Sequence, residues 1–292
     1  MPTDSPNGVT EGEFKRALLV VAHPGHELRV HGWLELTKPE VWVLTDGSGR
    51  TAQSRVRSTD RVLAATGAVA GPVYGQMTDA DIYKAILDFD HARFKALVDQ
   101  LATALIDKQI DCIAGDAEEG YNPAHDTCRL VVNAAVELAM RNTSKQIANY
   151  DFALVGPPNR CPDELRARSL WINLDDASFA RKISAAQGYP ELASEIEAAF
   201  QGTLHESRRD YAELFQRSRS RFGTSDVNNF RVECLRPVND GGNATTFNDS
   251  PPYYEEYGER QVSVGHYTHV LRYNEHMVPL AAAIDSHVKR NC

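Results

Sequence analysis

The chain alternates short, unbroken apolar runs with longer stretches in which apolar residues recur every three or four positions. The first kind reads as buried strand, the second as amphipathic helix. Strands are expected at about 16–22, 41–45, 71–75, 110–115, 152–156 and 170–174. Helices are expected at about 27–36, 57–66, 91–107 and 127–140. The third is the clearest, with Phe94, Leu97, Val98, Leu101, Ala104 and Leu105 on one face. Strand and helix alternate, and the polar, Gly-rich residues gather where strands end. That pattern predicts an α/β fold: a Rossmann-like, mostly parallel sheet with helices on both faces.

The last third changes character. Residues 177–221 read as helical and charged, 239–258 as a long ordered loop or lid rich in Asn, Gly, Ser and Pro, and 267–287 as a closing helix. The expected organisation is an α/β domain over 1–221 and a C-terminal lid and helix extension over 222–292, packed on the same domain. Residues 1–14 have neither a basic nor an apolar leader segment and are expected to be a disordered lead-in.

Composition narrows the function classes. The formal net charge of −9 argues against binding to a nucleic-acid backbone, which needs a positive surface. No apolar run approaches a membrane span. The cysteines, Cys112, Cys128, Cys161, Cys234 and Cys292, form no CxxC pair and are expected to be reduced thiols of a cytoplasmic protein. Nothing in the pattern sets the oligomeric state.

The candidate chemistry starts at 20–32, VVAHPGHELRVHG, directly after the first strand. His23 and His26 are three apart, close enough to converge on one ion. His125 has the matching setting: it follows the strand at 110–115 and opens a helix. Two strand-end loops of one parallel sheet can face each other across a crevice. His23, His26 and His125 then make a three-imidazole site with an open water position, suited to Zn2+ or another divalent transition metal. His31 lies further along and is read as a surface or supporting residue.

The string AHPGHE, 22–27, resembles the A-H-P-D-D-E motif of the PIG-L/LmbE-like zinc-dependent N-acetylglucosaminyl deacetylases. NPAH, 122–125, is similar to that family's H-P-D-H, and LTDGSG, 44–49, to its T-D-G-E-x-G loop. Order and spacing agree from about 16 to 183. The resemblance implies that His23 is the first metal ligand, that His26 stands at the ligand aspartate, and that His125 is the last histidine ligand. It implies that Glu27 orients a ligand. Two departures stand out: Gly25 replaces the general-base aspartate, and Asn122 replaces an oxyanion-stabilising histidine. A positioned base contributes a factor of about a hundred to ten thousand, so another group must supply it.

Asp46 is the first candidate for that base, and its alternative reading is a turn residue of Asp-Gly. Asp116, Glu118 and Glu119 line the third loop. His266 is a candidate reaching in from the lid, and Asn122 is a candidate donor of an amide N–H to an oxyanion. Arg50, Arg55 and Arg57 are candidates for holding a phosphate or carboxylate, or else a solvated loop. Tyr253, Tyr254 and Tyr257 either stack on a sugar or pin the lid. The implied function is a metal-dependent hydrolase of a C–N (N-acyl) bond on a small-molecule substrate such as an amino sugar or glycoconjugate. The alternatives are a non-catalytic ligand- or partner-binding protein of the same fold, and a biosynthetic enzyme with altered chemistry on the same metal site.

Overall fold

The computed structural model describes residues 16–49, 52–194, 196, 227–238 and 251–291. A seven-stranded, mostly parallel sheet forms its centre, with helices on both faces. The strands are β1 (Ala17–Val21), β2 (Glu40–Thr45), β3 (Val69–Met77), β4 (Cys112–Asp116), β5 (Ala148–Phe152), β6 (Leu170–Asn173) and β7 (Val232–Pro237). Their spatial order is β3-β2-β1-β4-β5-β7-β6. The first five run parallel, and β7 is antiparallel to both β5 and β6.

The helices are α1 (His31–Thr37), α2 (Val56–Thr66), α3 (Asp79–Leu87), α4 (His91–Asp107), α5 (Pro123–Thr143), α6 (Asp176–Gln187), α7 (Tyr253–Ser263) and α8 (Val278–Arg290). The period-2 pleat of β1 and β2 feeds two cores. Leu18, Val20, Trp42 and Leu44 pack with Phe94 and Val98 of α4, Val131 and Ala135 of α5, and Ile284 of α8. Leu19, Val21, Val41 and Val43 pack with Leu34 of α1, Val62 and Leu63 of α2, and Phe179 of α6. Burial on both faces is why β1 reads as an unbroken apolar run. Among the described residues, no helix is long and apolar enough to cross a membrane.

The order of the strands places the crevice. From β1 the chain moves outward to β2 and β3, then returns to lay β4 on the other side of β1. The carboxyl ends of β1 and β4 therefore flank the point where the winding reverses, where open α/β sheets bind ligands.

Several elements differ from the sequence reading. The segment expected as one helix over 27–36 is a 3-10 helix, His26–Val30, followed by α1. The helix expected from 127 begins at Pro123, because Asn122 caps it by accepting the Ala124 N–H at 2.8 Å and Pro123 takes its first position. His125 thus sits in a first helical turn. The strand expected at 152–156 lies earlier, as β5. Its polar residues hid it, because Asn149 and Asp151 are paired with Arg129 and Arg236 (3.0 and 2.6 Å).

The extension over 222–292 was expected to hold a lid loop and a helix, and the structure adds strand β7 within the sheet. Its charges concealed it: Glu233 and Arg236 are buried, paired with Lys182 and Asp151. Of the expected lid, 239–250 lie outside the described residues, and 253–258 are helical, the first half of α7. The expected helix over 267–287 starts later, with a π-helical turn at Tyr273–Met277 leading into α8. Residues 197–221 of the charged helical stretch, and the N-terminal lead-in, lie outside the described residues.

Glu233 ties the last sheet strand to the first helix. Its carboxylate accepts the backbone N–H groups of Gly32 and Trp33 at 2.9 and 3.0 Å, where α1 has no cap of its own. It also takes Lys182 Nζ at 2.7 Å, in a pair closed off from solvent. Free amide donors and a carboxylate at a helix start are complementary.

Candidate functional site

Three imidazoles meet at the switch point. The ring centroids of His23 and His26 are 5.3 Å apart, those of His23 and His125 5.1 Å, and those of His26 and His125 4.5 Å. His23 and His26 come from the turn after β1, and His125 from the start of α5 after β4. Sequence spacing alone puts His125 about a hundred residues away from its partners. The adjacency of β1 and β4, registered from Ala17↔Cys112 to Val20↔Gly115, brings them together.

Gly25 shapes the first turn. Its φ of +104° is in the left-handed region, and a Cβ built on it would stand 2.6 Å from Leu192 Cδ1. The turn is held from below by Glu27, which accepts the Gly25 N–H at 2.7 Å and the Tyr189 hydroxyl. Tyr189 in turn meets Thr59 Oγ1 at 2.8 Å. Glu27 is fully buried, and desolvation raises its pKa despite these hydrogen bonds. It supports the backbone of the turn; none of its hydrogen bonds is to an imidazole.

Two of the histidines are backed by carboxylates. His23 Nδ1 lies 2.9 Å from Asp79 Oδ1 and 2.7 Å from Thr45 Oγ1. His26 Nδ1 lies 2.9 Å from Asp116 Oδ2, which also accepts the Ala22 N–H at 2.8 Å. Burial alone would raise the Asp79 pKa. The hydrogen bond and charge of His23, with Thr45 and Gly49, outweigh it and hold the carboxyl below the usual range. A carboxylate on Nδ1 fixes the ring's orientation and leaves Nε2 as the lone-pair nitrogen. His23 Nε2 is buried without a partner among the described residues, as is His125 Nδ1. Burial, then the neighbouring His26 and His23, push the His125 pKa well down, so this ring is neutral.

The donor chemistry fits a borderline-soft divalent metal: three imidazoles, two ring nitrogens buried without a partner among the described residues, and carboxylates behind two of the rings. The rings themselves meet edge to face, at interplanar angles of 65° to 90°. As they stand, no group of three or more His, Cys, Asp or Glu among the described residues is set to hold a metal ion. Seating an ion therefore requires the rings to turn about their side-chain bonds.

Around the rings, Asn122 is half-buried at the mouth of α5. Its Oδ1 accepts from Ala124 N and from the Tyr83 hydroxyl at 3.1 Å, which aims its amide N–H2 the other way. Asp46 follows β2. Its Oδ1 accepts the Ser48 N–H at 2.9 Å, an Asx turn, and Gly47 beside it packs on Pro24 of the histidine turn. Asp126 Oδ1 holds the third loop through Glu119 N and Gly120 N (3.1 and 3.3 Å).

The remaining candidates stand at varying removes from the rings, and Tyr121, on which Tyr253 stacks, has its ring centroid 5.9 Å from that of His125. His266 is exposed past the end of α7, with its Nδ1 2.9 Å from Gln261 Oε1; among the described residues no hydrogen bond or ring contact joins it to His23, His26 or His125. His31 is buried at the start of α1, not on the surface, with Glu35 4.0 Å away. Arg55 is half-buried, Arg57 is exposed, and Arg50 lies outside the described residues. Tyr253 stacks on Tyr121 at 5.6 Å, Tyr257 follows Tyr253 at 6.1 Å, and Tyr254 is buried.

Asp79 and Thr45 were missed as partners of His23. The signal was faint: Asp79 opens α3 inside the capping sequence Thr78–Asp81, where an acid is ordinary.

Fold and site together define an open α/β protein with a histidine-lined crevice at its switch point. No family model and no curated protein sequence matches the chain. Among solved structures it is similar to the A40926 pseudoaglycone deacetylase Dbv21, at 17% identity and a TM-score of 0.43, over 76% of this chain and 96% of that one. It is similar to the conserved protein TT1542 from Thermus thermophilus, at 14% identity and a TM-score of 0.42, over 75% and 92%. It is also similar to the zinc-inhibited form of teicoplanin deacetylase Orf2, at 11% identity and a TM-score of 0.43, over 76% and 97%.

Proposed function

We propose that this protein is a metal-dependent hydrolase of a C–N (N-acyl) bond in a small molecule, of the PIG-L/LmbE-like type. One observation carries the reading: the rings of His23, His26 and His125 converge at the switch point, with Asp79 and Asp116 behind two of them. These three histidines would hold Zn2+ or another divalent transition metal, which supplies an acidified water and polarises an acyl oxygen. The AHPGHE and NPAH strings support the same assignment.

The chain's own residues divide the remaining work. Asn122 presents its amide N–H2 to a developing oxyanion, since its Oδ1 is already engaged twice. Asp46, on the loop packed against Pro24, is the candidate proton acceptor in place of the acid missing at Gly25. The reading gives His266 no step. An amino sugar or glycoconjugate is the substrate class the motif resemblance favours.

The second reading, a non-catalytic ligand- or partner-binding protein on the same scaffold, is favoured by the residues at Gly25 and Asn122, where the resembling family has its base and its oxyanion histidine. Elemental analysis of the purified, untagged chain tests the site. About one transition-metal ion per chain is expected by the usual stoichiometry of such sites, lost on changing His23, His26 or His125 to Ala. Full occupancy in all three variants would sink the assignment. If metal binds, hydrolysis of N-acetylated amino sugars separates the two readings, and Asp46→Asn is expected to slow turnover while leaving the metal in place.

A further inference from the structure

The loop after β5 folds back along β7. The Cys234 N–H donates to Pro158 O at 3.2 Å. Three residues on, Cys161 turns onto the ladder in which Trp171 of β6 pairs with Cys234 of β7, and the two thiols act on one another's ionisation as hydrogen-bond partners. Cys161 Sγ also lies 3.3 Å from Ser169 Oγ. Cys161 is half-buried and Cys234 is buried. Two thiols brought onto one strand ladder by these contacts close to the S–S bond length of about 2.05 Å by an approach of their side chains.

We infer that Cys161 and Cys234 are a modification site: an oxidisable pair that closes to a disulfide when a peroxide reaches Cys161. The inference does not depend on the metal site.

The two sulfurs are suited to different parts of the reaction. The hydrogen bond from Cys234, helped by Ser169 and the charges of Arg236 and Arg166, lowers the Cys161 pKa to about 6 against the cost of burial. Cys161 is therefore the more readily ionised thiol of the two, and the thiolate is the nucleophile. The same hydrogen bond, then burial, pushes the Cys234 thiol up, so it keeps its proton. Cys161 attacks one oxygen of hydrogen peroxide, the O–O bond breaks, and a sulfenic acid forms as hydroxide leaves. Cys234 then attacks the sulfenic sulfur. The S–S bond forms, hydroxide leaves, and the Cys234 proton converts it to water. Two thiols give up two electrons and two protons, and one peroxide becomes two waters.

The pair is placed where closure matters. The same loop carries Arg160, whose Nη1 holds Glu119 Oε1 at 3.0 Å. Glu119 accepts the N–H groups of Leu154 and Val155, both at 2.9 Å, and stands three residues from Asn122. A bridge at Cys161 anchors this loop to the sheet. Cys128, by contrast, is fully buried, and burial pushes its pKa well up.

The test is to expose the full chain to hydrogen peroxide, denature it, cap free thiols and map the peptides. The expected result is a fall from five free thiols to three, a linked peptide pair joining Cys161 to Cys234, and recovery with dithiothreitol. Cys161→Ser is expected to keep its remaining four thiols, and Cys234→Ser to stop at a sulfenic acid on Cys161 that dimedone captures. Survival of all five thiols, a bridge joining another pair, or oxidation of Cys161 with Cys234 left as a free thiol would each overturn the inference.

Discussion

Asp116 Oδ2 accepts the backbone N–H of Ala22 at 2.8 Å and meets His26 Nδ1 at 2.9 Å. One oxygen at the end of β4 thus clamps the end of β1 and aims the histidine beyond it. Carboxylates in this position typically account for 10- to 100-fold in metal affinity. Asp116→Asn is expected to weaken zinc binding by roughly that factor in chelator competition, with the fold retained. Unchanged affinity in a folded variant would remove Asp116 from the site.

Gly25 occupies the place where the resembling family has its base, and the backbone there explains why an acid does not simply fit. With φ at +104° and Leu192 Cδ1 2.6 Å from a built Cβ, any side chain is strained. The leucine tip can move, but the dihedral cannot relax without reshaping the turn that sets His23 and His26. Gly25→Asp is expected to cost about 1–2 kcal/mol of stability and to leave turnover unimproved. A variant as stable as the parent and faster on an N-acetylated amino sugar would show that the turn accepts the acid.

The Lys182–Glu233 pair predicts a large stability effect away from the site. Both groups are buried, and Glu233 also caps α1 through Gly32 and Trp33. Glu233→Ala strands a buried ammonium and two amide donors, with an expected cost of about 3–5 kcal/mol in urea unfolding. Combining it with Lys182→Met is expected to recover part of that loss. Additive costs in the double variant would mean the two residues act separately.

Cys161 gives a pH signature. Its pKa is lowered to about 6, first by the hydrogen bond from Cys234. Only the thiolate reacts, so alkylation by iodoacetamide rises with pH. It is expected to be half-maximal near pH 6, against about 8.5 for an ordinary thiol. Removing the donor in Cys234→Ala moves the midpoint upward. A midpoint near 8.5 in the parent chain would contradict the contact.

Much of this architecture was legible in the residue pattern. The unbroken apolar runs of β1, β2 and β4 announce strands buried on both faces, and the spacing of Phe94, Val98, Leu101 and Leu105 announces α4. The shared setting of His23, His26 and His125 after strands was also visible, because strand-end position follows from the order of elements.

Strand β7 was not legible, because burial of Glu233 and Arg236 depends on Lys182 and Asp151, residues 51 and 85 positions away. Nor were the partners of the histidines: Asp79 reaches His23 across 56 residues and Asp116 reaches His26 across 90.

By itself, the sequence determined the apolar strands β1, β2 and β4, the long amphipathic helix α4 and which histidines stand at strand ends, because periods of 2 and 3.6 are properties of neighbouring residues. Tertiary structure decided which strand ends are adjacent, which charges are buried in pairs, and which ring nitrogens are left without partners. Those depend on the return of the chain from β3 to β4 and on β7 entering the sheet, contacts between residues that no local pattern links.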